Sequence, residues 1–128
     1  MRLVLLVLMM ILPLPAAAFT AQNGMTVVRQ SQTEIEVIYR ARRVDTDYWC
    51  AAGDFAQRAL GYSNKTPMWR ASPKPRRAGQ GIIFTIDPAK KAPGAGLSQF
   101  GSGPHDGSVT IGMAVGSYCR ITMPFWHD

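Results

Sequence analysis

Residues 45–61 of this chain have the period of an amphipathic helix, and the apolar stretches before and after them alternate like strands. That order favours a helix laid on a sheet over either element alone. At 100° per residue, Tyr48, Trp49, Ala52, Phe55, Ala56, Ala59 and Leu60 share one broad face, with Asp54, Gln57 and Arg58 opposite. Asp45 or Thr46 offers an N-cap oxygen, Asp47 places negative charge in the first turn, and Gly61 suits the left-handed residue that ends a helix. Cys50 falls off the apolar face, on the polar side of the first turn near Gln57.

The meaning of Cys50 depends on compartment, which the start of the chain addresses. One positive charge, Arg2, precedes an apolar run over residues 3–12, followed by Pro13, Pro15 and the small residues Ala16, Ala17 and Ala18. This is the pattern of a cleavable secretory signal peptide over residues 1–18, and the small residues set the cut between Ala18 and Phe19. The run is too short for a transmembrane helix, which needs about 20 residues. Residues 19–128 are then expected to form a single small α+β domain without a transmembrane anchor, periplasmic or secreted. The short signal and the lack of a sorting or anchoring tail point towards a bacterial periplasm. In an oxidising compartment, the chain's two cysteines, Cys50 and Cys119, are expected to form a disulfide. The competing reading is a reactive Cys50 thiolate, its pKa lowered by the helix N-terminus.

Around the helix, residues 25–29 and 34–40 read as a hairpin, with Ile35, Val37 and Tyr39 facing one way. Residues 66–72 form a short strand with Met68 and Arg70 on one side and Trp69 on the other. Residues 81–86 form a buried strand led by Ile82, Phe84 and Ile86. Residues 108–119 read as the last long strand: Val109, Ile111, Met113, Val115 and Cys119 on one face, Thr110, Gly112, Ala114, Gly116 and Tyr118 on the other. The expected order is β-β-α-β-β-β, one helix packed across an antiparallel sheet of four to five strands and fastened by one disulfide. Residues 19–24 read as a loose leader. Residues 87–107, rich in proline and glycine, read as a long loop that is either a binding element or disordered or simply variable.

Composition enters through charge. Without Arg2, the 14 basic side chains become 13, against 8 acidic ones, a formal +5 for the mature chain. Lys65, Trp69, Arg70, Lys74, Arg76 and Arg77 form a candidate anion-binding stretch, to which Arg40, Arg42 and Arg43 would add if the strands align. Cations interleaved with an aromatic ring suit phosphates, anionic glycans or lipid headgroups, and the plainer reading, slightly favoured by the sequence, is a solvated loop that keeps a small protein soluble. Nucleic acid is not an expected partner of an exported protein; an anionic surface or another envelope protein is. The aromatic set Tyr48, Trp49, Trp69, Phe125 and Trp126 reads mainly as packing, with Phe125 and Trp126 as a sheet-edge cover or a partner contact.

Other chemistry has weaker support. Cys50 with His105 and Asp106 would supply nucleophile, base and orienting acid for a cysteine-dependent hydrolase, but the flanking residues match no hydrolase signature and a disulfide would remove the nucleophile. His105, His127, Asp106 and Asp128 lack metal-ligand spacing, so no metal or other cofactor is expected. An inhibitor presenting the 87–107 loop to an enzyme fits the composition without specific support. The reading that fits best is a small, exported, non-enzymatic binding or accessory protein with one disulfide, with the 87–107 loop and the basic edge as contact surfaces; the hydrolase is the alternative.

Overall fold

A computed structural model describes residues 18–93 and 106–119. The described chain forms one antiparallel sheet of six strands: β1 (Phe19–Thr20), β2 (Thr26–Arg29), β3 (Glu34–Val37), β4 (Pro67–Arg70), β5 (Ile82–Thr85) and β6 (Val109–Thr110), in the spatial order β1-β2-β3-β5-β4-β6. Helix α1 (Asp45–Asp54) follows β3, and its last turn widens into a π-helical turn over Phe55–Ala59. Helix α2 begins at Ile111–Met113 and continues as a π-helical stretch over Ala114–Tyr118. The α+β class is as expected. The details differ: two helices where one was expected, and six strands where four to five were.

Register builds the core. Residues directly opposite each other in an antiparallel pair share a face. Val27 lies opposite Val37, Ile35 opposite Phe84, Val37 opposite Ile82, and Met68 opposite Val109. All of these side chains are buried, and α1 packs on them through Tyr48, Trp49, Ala52 and Phe55. Trp49 meets Phe84 edge-on, with ring centroids 4.7 Å apart. Tyr39, expected on this face, is instead exposed, because β3 ends at Val37.

The largest correction is at residues 108–119. The strand stops after Val109–Thr110, and the chain turns into α2. Ile111, Val115 and Cys119 recur every four residues, a spacing that both a strand face and a helix face satisfy. Adding Ala114 and Tyr118 gives the i, i+3, i+4, i+7, i+8 stripe of a helix. Ile111, Ala114 and Cys119 are buried, Val115 and Tyr118 pack against the core, and Met113, Gly116 and Ser117 face out. The Thr110 hydroxyl caps this helix by accepting the Met113 N–H at 3.1 Å.

The second helix explains why α1 is buried all round, from Asp47 to Asp54. One side meets the sheet and the other meets α2. Cys50, assigned from its helical phase to a polar side, is 0% exposed and bonded to Cys119. Gly53 permits the approach: a Cβ there would stand 2.7 Å from the Cβ of Ala114 and 3.4 Å from a methyl of Val115. Asp54, also expected on the solvent side, is fully buried. Burial raises its pKa, but the Arg58 guanidinium donating at 2.6 and 2.7 Å and the Gln22 N–H at 2.8 Å outweigh it, so the net shift is downward.

Two smaller differences concern ends. Residues 19–24 are not a loose leader: Phe19 pairs with Val27 across a turn at Asn23 and Gly24, where Gly24 has φ +85°. Asn-Gly is a strong hairpin signal. The cap of α1 is Val44 rather than Asp45 or Thr46, and the Asp47 carboxylate accepts the Val44 N–H at 3.1 Å. Gly61 has φ +75°, as the end of the helix requires.

Candidate anion-binding surface

The β4–β5 connection and the β3–α1 connection meet at one end of the sheet. Ala71 N–H and Ser72 N–H both donate to the carbonyl of Ile83, at 2.7 and 3.2 Å, which is a β-bulge. The bulge turns the chain out of β4 into the proline-rich loop over residues 73–80. Opposite it, the chain leaves β3 through Tyr39 and Arg40 and turns at Arg42, a non-glycine residue at φ +66°. Gly81 allows β5 to start against β3, since a Cβ there would lie 2.0 Å from the Val37 carbonyl oxygen.

Arg76 joins the two connections. Its guanidinium lies 4.7 Å from the ring centre of Tyr48 and 5.7 Å from that of Tyr39. It donates to the Gln80 carbonyl at 3.2 Å and to the Arg43 carbonyl at 3.4 Å. Asp45 stands between Arg76, at 4.0 Å, and Arg70, at 3.5 Å. One carboxylate flanked by two guanidinium groups leaves local positive charge in excess. Arg40 donates to the Gly24 carbonyl at 2.7 Å, and Arg43 to the Asn23 carbonyl at 2.6 Å, with Asp47 3.8 Å away. These bonds hold the 40–44 turn against the β1–β2 hairpin.

The six residues singled out from the sequence separate into three groups. Arg70 is 1% exposed and structural: besides Asp45, it donates to the Ser72 carbonyl at 3.3 Å and the Pro73 carbonyl at 3.2 Å, pinning the loop's start. Burial pushes its pKa below the usual arginine value, with the Asp45 carboxylate opposing and Arg76 adding to the fall. Trp69 lies opposite Thr85, on the other face of the sheet from Arg70, and is buried too. Lys65 sits in the turn before β4, at the far end of that strand from the loop. Lys74, Arg76 and Arg77 stay together on the loop, with Lys74 and Arg77 exposed and Arg76 half-buried. The Arg43 carbonyl meets Arg76 there, which brings the segment carrying Arg40, Arg42 and Arg43 alongside. The basic surface is therefore the 40–43 segment plus the 74–77 loop segment, without Trp69 or Arg70.

A groove of about 340 Å³ opens beside this surface, lined by Glu36, Ile38, Tyr39, Ser72, Gln80 and Ile83 with the glycines at 79 and 81. Its floor belongs to the sheet face turned away from the helices.

The cysteine constellation does not supply a nucleophile here. The Cys50 sulfur is bonded to Cys119 and buried. Asp106 is exposed, and hydrogen bonds from the Ser108 side chain and from its N–H at 2.9 Å lower its pKa. His105, His127, Phe125, Trp126, Asp128 and most of the glycine-rich part of the 87–107 loop lie outside the described residues. Among the described residues, no three His, Cys, Asp or Glu side chains gather as metal ligands, and no helix is long and apolar enough to cross a membrane.

The chain matched no family model, no curated protein and no solved structure.

Proposed function

We propose that this chain is a small exported binding or accessory protein, non-enzymatic and periplasmic or secreted, that holds an anionic partner at the basic end of its domain. The observation that carries this reading is the junction made by Arg76. By meeting the Arg43 carbonyl and the rings of Tyr39 and Tyr48, it brings two basic segments, distant in sequence, onto one surface. Arg42 and Arg77 stand exposed on it. Export is supported by the signal-like start, by the buried Cys50–Cys119 bond, and by a first strand that begins at Phe19, directly after the expected cut.

Retention on a phosphocellulose matrix tests the reading. The charge-neutralising pair R42Q/R77Q elutes at clearly lower salt than the parent. K65Q, which removes the same kind of charge at the far end of β4, elutes close to the parent. A K65Q loss of about half that of R42Q/R77Q, one charge against two, would reduce the effect to net charge, and no loss from R42Q/R77Q would overturn the proposal.

A further inference from the structure

The basic end is not purely hydrophilic. Among the described residues the exposed large apolar side chains are Ile38 (38%), Tyr39 (42%), Val44 (60%) and Met113 (43%), and the first three fall within residues 38–44. That is the segment that also carries Arg40, Arg42 and Arg43. Val44 is the most exposed of them, and it occupies the N-cap of α1, where it makes no side-chain capping bond. Serine, threonine, aspartate or asparagine would serve the helix better there. The Asp47 carboxylate caps the Val44 N–H from within the helix, but an exposed valine adds no side-chain cap of its own.

Charge alone suits any polyanion, but these apolar side chains discriminate. A hydrated polyphosphate or acidic glycan offers them nothing. The boundary between headgroups and acyl chains of a bilayer takes up aliphatic side chains, and tyrosine rings sit well at that depth. Resting on the anionic-partner reading above, we infer that this end of the domain docks on an anionic lipid bilayer. Arg42, Lys74 and Arg77 face lipid phosphates, and Ile38, Tyr39 and Val44 enter the headgroup layer. The cation–π contacts of Arg76 hold the loop and the turn together at this end of the sheet. Each cation near such a surface contributes about 1 kcal/mol, or about fivefold in affinity, and salt screens the attraction.

Flotation of the purified exported protein with vesicles tests this directly. Phosphatidylcholine vesicles containing about one quarter phosphatidylglycerol bind it at low salt, whereas pure phosphatidylcholine vesicles bind it weakly. R42Q/R77Q weakens the anionic-vesicle binding by more than about tenfold. V44S weakens it several-fold while leaving phosphocellulose retention unchanged and the melting temperature unchanged or raised. Retention on phosphocellulose that depends on Arg42 and Arg77, without vesicle binding, would overturn the bilayer assignment and leave the broader anionic reading standing. Vesicle binding indifferent to V44S, or equal on neutral vesicles, would also overturn it. Failure on both vesicles and phosphocellulose would remove both readings.

Discussion

The guanidinium of Arg76 lies over the ring of Tyr48, 4.7 Å from its centre, and so ties the β4–β5 loop to the first helix. Tyr48 is fully buried in the core, which makes the anchor rigid on the protein side. R76A gives up this contact, the one to Tyr39 and two hydrogen bonds to carbonyls. A loss of about 1–2 kcal/mol is expected, read by urea denaturation. R76K keeps the charge but not the planar fork, and falls between the two. Equal stability of R76A and parent would mean that the loop is held by other bonds, such as those from Arg70.

Gly53 and Ala114 set the spacing between the two helices. G53A puts a methyl 2.7 Å from the Ala114 Cβ. Alanine normally improves a helix interior by about 1 kcal/mol over glycine, but the overlap is expected to exceed that gain and lower the melting temperature. Moving the methyl across the interface, in G53A/A114G, restores stability towards the parent. A stabilising G53A single variant would contradict the close helix contact.

The Cys50–Cys119 bond joins α1 to the end of α2 across 69 residues of chain. Closing a loop of that size restricts the unfolded state by about 4 kcal/mol in the chain-entropy account. C50A/C119A is expected to lose a large part of this in denaturant unfolding under oxidising conditions, and the parent treated with reductant should approach the variant. Coincident curves for oxidised parent and variant would remove the disulfide from the account of stability.

Glu34 links stability to pH. The hydroxyls of Ser31 and Thr33 bond its carboxylate, with Thr85 and Lys90 adding to them against a modest burial penalty, and its pKa falls from 4.5 to about 2. A carboxylate with a lowered folded-state pKa contributes stability above its unfolded value and loses it as pH falls through the folded one. The parent should therefore lose melting temperature between about pH 4.5 and pH 2, and E34Q should lose less over the same window. Parallel melting-temperature profiles for the two would contradict the assignment.

Residues 45–61 were legible because several local signals agree: apolar period, acidic first turn, and glycine at the end. Residues 108–119 were not, because spacings of four satisfy both periods at Ile111, Val115 and Cys119. The two misreadings of Cys50 and Asp54 follow from that one: a helix has a solvent side only if nothing covers it, and α2 covers it. Arg70 looked like surface charge because its partner Asp45 lies 25 positions away. Conversely, Asn23-Gly24 was a readable hairpin signal that identifies β1. The merging of residues 40–44 with 74–77 was conditional on strand alignment, and the order β3-β5-β4 supplies it.

The most direct test of the basic surface is an amide NMR titration of the folded, oxidised protein with tripolyphosphate. Saturable shifts concentrated at Tyr39, Arg40, Arg42, Arg43 and residues 76–80, with Lys65 and Met113 unmoved, are the predicted result. Shifts centred on α2 or spread evenly over all basic residues, or none at millimolar ligand, would contradict the assignment of an anion-binding surface to this end of the domain.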